Sequence, residues 1–231
     1  MTKGITRIIL DRPPLNVLDI PASRKLEADL RRAAKDSSVR VVVLSGKGKC
    51  FSAGVDIRDH TKARVKGMLK AFHGAVRALE ALEKPVIASV HGHCLGGGME
   101  LALSCDFIVA ASGTRFALPE ISLACYPPVA AVRLARIVGQ HRANEIVLLG
   151  ESFGVKEART MGLVTGHSLD SLLERLLSLS GSALACAKAA MRAKTLSESE
   201  RIYLTRLMKT RDMEEGVRAF LGKRQSAWKH R

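Results

Sequence analysis

An α/β fold is what the sequence predicts, on three observations. Short β-branched runs closed by glycine or proline alternate with amphipathic stretches through the first part of the chain. A hydrophobic content of 47% over 231 residues is enough for one sizeable core. From Val129 onward strand signals nearly vanish and helical patterns take over. The organisation expected is a core unit over residues 1–168 that carries the chemistry, followed by a helical region over residues 169–231.

The elements follow in order. ITRIIL (5–10) reads as a strand ended by Asp11-Arg12-Pro13-Pro14. A helix is expected from about Pro21, where Leu26 and Leu30 recur four apart among charges. VRVVVLSG (39–46) is a buried strand, and a helix from about Lys62 to Leu82 sets Met68, Leu69, Phe72, Val76 and Leu79 on one side. PVIASVHG (85–92) and FIVAA (107–111) are two further strands. Beyond them, helices are expected at about 130–138, 142–149, 155–161, 169–194 and 198–221.

Composition excludes several classes. No stretch approaches the roughly 18 uncharged apolar residues of a membrane span, and the start, MTKGITRIILDRPP, lacks the apolar core and cleavage site of a secretory signal, so a cytoplasmic protein is expected. Five cysteines without a CxxC pair suggest free thiols, not a disulfide framework or a zinc ribbon. His91-Gly92-His93-Cys94 has no second cluster to complete a metal site, and no metal is expected. With 37 Lys and Arg against 22 Asp and Glu, the net charge of +15 favours a polyanionic partner: nucleic acid, an anionic surface or a phosphorylated ligand.

The chemistry gathers where glycine is least expected. In HCLGGGMELALSCDF (93–107) three glycines open a helix-prone run, where each costs roughly 1 kcal/mol against alanine. Bare backbone there leaves N–H donors at a helix N-terminus for an anionic or polarised oxygen, although tight helix–sheet packing would also use it. FSAGVD (51–56) is a second small-residue loop after a strand, and two donors converging on one oxygen would form an oxyanion hole. Two carboxylates are the candidate proton carriers. Glu100 follows the glycines, and Glu120 lies in RFALPEISL (115–123). In isolation, Glu100 also reads as a helix-dipole partner and Glu120 as the acid that often follows proline at a helix start.

FSAGVDI (51–57), KPVIASVHGHCLGGGMELALSCD (84–106), FALPEISL (116–123) and EGVRAFLGKRQSAW (215–228), in this order and at these intervals, resemble the crotonase (enoyl-CoA hydratase/isomerase) superfamily over nearly the whole chain. The resemblance implies a crotonase-like spiral of β-β-α repeats with a helical C-terminal region that builds trimers, commonly paired into hexamers. It implies an acyl-CoA substrate, coenzyme A being part of that substrate and no separate cofactor being needed. The thioester oxygen would rest on the backbone N–H groups of Val55 and Gly97, with Glu100 and Glu120 as catalytic glutamates. Ala53, Asp56, Ile57, Arg58, Gly96, Tyr126, Phe220 and Lys223 would contact substrate or CoA. Within the superfamily, NVLDI (16–20), GVDIRDHT (54–61), CYPPVAA (125–131) and RAFLGKRQSAW are most similar to cyclohexa-1,5-diene-1-carbonyl-CoA hydratases. Ala117, Leu118 and Ala124 depart from the Gly, Gln and Gly common at those places.

Other readings use the same residues. A straight-chain 2-enoyl-CoA hydratase, a double-bond isomerase and a thioester hydrolase share the oxyanion hole. The presence of two carboxylates favours hydration over isomerisation, which can work with one. RNA binding is the reading from another class, since Arg58, Lys62, Lys66 and Lys70 recur every four residues and would form a basic stripe on a helix that began early enough. A solvated helix face is the favoured explanation of those cations, and no exposed aromatics are interleaved for base stacking.

Overall fold

The computed structural model describes residues 3–230. Its first half builds a parallel sheet, with the first two helices packed against one face. Strand β1 (Ile5–Leu10) leads through helix α1 (Ile20–Lys35) to β2 (Val41–Gly46), and α2 (Val65–Ala81) leads to β3 (Val86–Val90). The three-residue strand β4 (His93–Leu95) runs into α3 (Gly97–Leu103), then β5 (Phe107–Ala110) and β6 (Arg115–Ala117). Four strands pair in the order β1-β2-β3-β5, all parallel.

Alternation along β2 shows why this strand is apolar throughout. Val42 and Leu44 face a core that includes Leu26 and Leu30 of α1 and Phe72 and Leu79 of α2, while Val41 and Val43 face a second cluster. A sheet covered on both sides needs unbroken β-branched runs. The cover on the second face comes late in the chain, from Leu172, Leu173 and Leu176 of α8 (Leu169–Ser178). Before it come α4 (Pro128–Arg133), α5 (Ala135–Val138), α6 (Gln140–Leu149), β7 (Phe153–Gly154) and α7 (Val155–Thr160). After it come α9 (Gly181–Ala190), α10 (Leu196–Thr205) and α11 (Arg211–Leu221).

Three sequence expectations are corrected. The stretch 169–194 is two helices, because Ser180 accepts from the amide of Ala183 and starts α9 afresh. The stretch 198–221 is likewise broken, with Thr210 capping α11 at the amide of Met213. Capping side chains of this kind satisfy orphan donors and favour a new start over continuation. The basic stripe also fails: α2 begins at Val65, so Lys62 lies before it, and Arg58 sits in a 3-10 turn bonded to Asp56. Only Lys66 and Lys70 share the helical spacing. The strands β4, β6 and β7, which form a second small sheet, were too short to leave a periodic signal.

Candidate active site

The triple glycine is explained by contacts. Gly96 has φ +51, and a Cβ there would lie 2.8 Å from Glu120 Oε1. On Gly98 a Cβ would lie 2.7 Å from the carbonyl oxygen of Ser52. Any side chain would therefore push apart the loop at 52–55, the start of α3 and the carboxyl of Glu120.

That loop is held from below by hydrogen bonds of Asn16 and Ser52. Asn16 is buried, and its side-chain amide donates to the carbonyls of Lys47 (2.9 Å), Cys50 (2.8 Å) and Phe51 (3.2 Å) while its own Oδ1 accepts from the amide of Arg12. The Ser52 hydroxyl donates to the carbonyl of Asn16 and accepts from the amide of Gly54. Leu18 donates to Gly54 and receives from Asp56, a parallel bridge that brackets Val55. The result is two amides side by side: a Cβ on Gly97 would lie 3.3 Å from Val55 N. Among the described residues neither the Val55 nor the Gly97 amide has a protein acceptor.

Val55 and Gly97 both line a cavity of about 110 Å³ that also takes in Ala53, Ile57, Gly96, Glu100, Glu120 and Tyr126. Helix α2 contributes Met68, Leu69, Phe72 and His73 to its lining, and Leu123, Cys125, Tyr126, Pro127 and Pro128 complete the rim. Glu100 is almost wholly buried, and its Oε1 accepts from the amides of Val129 (2.7 Å) and Ala130 (3.1 Å). It thereby caps α4, whose own cap position is Pro127 and carries no accepting side chain. Burial pushes its pKa up to about 7; the two amide bonds oppose that rise, and the neighbouring Glu120 adds to it. The carboxyl of Glu120 is raised as well, chiefly by burial, and its Oε2 is buried with no hydrogen-bond partner. A pair of carboxyls pushed upward beside two free amide donors can move protons on a polarised carbonyl compound near neutral pH.

Several sequence candidates lie elsewhere. Asp56, Ile57 and Arg58 line an adjoining cleft of about 490 Å³ with Arg12 and Pro13, and Ala53, Val55, Ile57 and Leu123 border both spaces. Hydrogen bonds from Arg58 hold Asp56 down at about 2, against the effect of burial. Phe220 and Lys223 lie at the end of α11 and line neither space in their own chain. Phe220 is 83% exposed.

The family model described as "Enoyl-CoA hydratase/isomerase" matches residues 1–231. The chain belongs to the enoyl-CoA hydratase/isomerase family. A probable enoyl-CoA hydratase of Rhizobium meliloti is 38% identical, covering 97% of this chain and 94% of its own. A 2,3-dehydroadipyl-CoA hydratase of Escherichia coli is 36% identical over the same shares, and a cyclohexa-1,5-dienecarbonyl-CoA hydratase of Thauera aromatica is 31% identical over 99% and 94%. The crystal structure of an enoyl-CoA hydratase from Bacillus anthracis superposes with a TM-score of 0.91 at 30% identity, covering 100% of this chain and 97% of that one. Family membership makes the chain a hydro-lyase acting on acyl-CoA thioesters.

Proposed function

We propose that the chain hydrates cyclohexa-1,5-diene-1-carbonyl-CoA to 6-hydroxycyclohex-1-ene-1-carbonyl-CoA. The observation that carries the hydratase reading is the meeting of two unpartnered amides, Val55 and Gly97, with the buried Glu100 and the half-buried Glu120 in one cavity. The thioester oxygen accepts from both amides. Glu100, in its ionised form, takes a proton from water, and the water oxygen bonds to the β-carbon as the double-bond electrons move onto the thioester oxygen. In the ring this enolate extends through the second double bond, whose far carbon takes a proton from the carboxylic acid of Glu120. Water is consumed whole, and exchange of a proton between the two carboxyls restores the starting state.

The ring is supported by the rim, where Tyr126, Pro127 and Pro128 border the cavity and α4 starts at once behind them, and by the similarity to the Thauera aromatica enzyme. The adjoining cleft with Arg12 and Arg58 offers cations to the CoA part, and no separate cofactor enters the reaction. We read the assembly as a cytoplasmic trimer or pair of trimers, supported by exposed Met191, Leu196, Leu204, Phe220 and Leu221 on the C-terminal helices.

The test is incubation of the purified protein with cyclohexa-1,5-diene-1-carbonyl-CoA and, in parallel, crotonyl-CoA, following the gain of one water by mass spectrometry. Faster hydration of the diene is expected. Hydration of crotonyl-CoA alone would leave a straight-chain hydratase, and no gain of water with either would overturn the reading. Glu120→Gln is expected to lower turnover by about 10²–10⁴-fold with acyl-CoA affinity near normal.

A further inference from the structure

Helix α4 is six residues long, too short to stand on its own hydrogen bonds, since an isolated helix in water needs roughly 12–15 residues. Its apolar hold comes from Val129 and Ala130 in the main core. Of its residues, Pro128 to Arg133, the last alone has a side chain able to form a hydrogen bond or an ion pair. The helix is therefore tied by carboxylates at two points. At its start the amides of Val129 and Ala130 donate to Glu100 Oε1, and at its end the Arg133 guanidinium pairs with Oε1 of Glu80 on α2.

Glu80 lies in the last turn of α2, where an acidic side chain meets the negative end of the helix dipole. Arg133, in the last turn of α4, meets the dipole of its own helix favourably and offsets the poor placement of Glu80. Its charge also reaches the Cys105 thiol just past the end of α3, where it opposes the upward push of burial. Arg133 thus stands at the junction of the helix that carries Glu100, the helix that donates to it, and the helix that lines the cavity with Met68, Leu69 and Phe72. The two side chains of the pair are 32% and 33% exposed, so the pair adds little to global stability. Its use is local.

Titratable groups that share the cavity with Glu100 are Glu120, His60, His73, Cys125 and Tyr126. Burial raises the Glu100 pKa most, the amides of Ala130 and Val129 oppose that rise, and of these neighbours Glu120 alone adds to it. Arg133 and Glu80 do not act on it directly, and their hold on it runs through α4.

We propose that Arg133 is a positioning residue: pinned by Glu80, it seats α4 so that the Val129 and Ala130 amides stay on the carboxylate of Glu100, the group that takes the proton from water. This deepens the hydratase reading and rests on the role given there to Glu100, for a ring and a straight chain alike. With the pair cut, the end of α4 is freed and the two donors draw back from Glu100. The carboxylate form loses its stabilising bonds, and Glu100 ionises at a higher pH. The base works when ionised, so the enzyme then needs a higher pH to reach its full rate.

Two variants test this. Arg133→Met keeps the length of the side chain without its charge, and Arg133→Lys keeps a cation within reach of Glu80. The substrate is whichever of the diene and crotonyl thioesters the wild type hydrates faster. In Arg133→Met the acid limb of kcat/KM against pH is expected to move up by about 0.5–1 unit, so that the rate falls about 3–10-fold at pH 6 and less than about twofold at pH 8.5. Arg133→Lys is expected to recover at least about half of that shift. Melts examine the same point without turnover. The folded Arg133→Met chain holds the Glu100 proton to a higher pH while the unfolded chain has lost it, so the wild-type advantage in Tm is expected to be larger at pH 8 than at pH 6. On a Glu100→Gln background the same substitution is expected to cost the same at both. An unmoved acid limb, or a Tm difference equal at pH 6 and pH 8 with Glu100 in place, would overturn the proposal. A wild type that hydrates neither thioester would overturn the hydratase reading, and the melts would still decide whether Arg133 seats the amides.

Discussion

At the scale of the residue, Glu100 does two jobs with one carboxyl. It caps α4 and lines the same cavity as Val55 and Gly97. In the unfolded chain it ionises near its usual value of 4.5, whereas burial raises it to about 7 in the fold. Between those values the folded chain keeps a proton that the unfolded chain has lost, so this group makes stability fall as pH rises, by at most about 1.4 kcal/mol per pH unit. Glu100→Gln keeps an oxygen for the Val129 and Ala130 amides and removes the ionisation. Thermal melts from pH 5 to 8 are expected to move in favour of the variant, while its hydration rate falls by about 10²-fold or more; parallel pH curves for the two proteins would refute the shift. Ala124 offers a second test, since it holds φ +56 at the end of the 3-10 turn that carries Glu120. Ala124→Gly is expected to gain up to about 1 kcal/mol in chemical denaturation by relieving the left-handed backbone. Glu100 and Glu120 were legible because each stands in a local motif.

At the scale of the element, the site depends on segments far apart in sequence. The loop at 52–55 and the start of α3 are drawn together by glycine contacts that the triple glycine announces, but the underside of the loop is tied by Asn16. One asparagine before a helix reads as a turn residue, and its bonds to positions 31 to 35 residues away have no local signature. Asn16→Ala would leave three carbonyls short of a donor. A loss of about 2–4 kcal/mol is expected in urea unfolding, with a larger fall in kcat/KM than in acyl-CoA binding because the Val55 amide would no longer be held. The long elements β1, β2, β3, α1 and α2 were legible from periodicity, each within a few residues of its observed bounds. Breaks at Ser180 and Thr210 were missed because a single capping hydroxyl decides them, and hydrophobic spacing continues past both.

At the scale of the whole molecule, the late helices are fastened to the sheet by buried polar links as well as by apolar cover. Lys188 of α9 reaches Asp106 Oδ2 at 2.5 Å, and that same oxygen accepts from the amide of Val86 at the start of β3. Asp212 of α11 gathers the hydroxyls of Ser180 and Ser182 and the amides of Lys229 and His230, which pins the chain near its end. Against this anchored inner side, the outer side of the same helices leaves Leu204, Phe220 and Leu221 exposed. Exposed apolar side chains on these helices are expected to be covered by another copy, with Phe220 and Lys223, which line no cavity of their own chain, offered to a neighbour's substrate. Native mass spectrometry at micromolar concentration is therefore expected to show a trimer or its double. Phe220→Asp puts a charge into that contact and is expected to shift the population to monomer and weaken acyl-CoA binding about tenfold or more. If the variant keeps the wild-type mass while losing affinity, Phe220 touches CoA without holding the assembly; if it dissociates at full affinity, each subunit binds CoA alone.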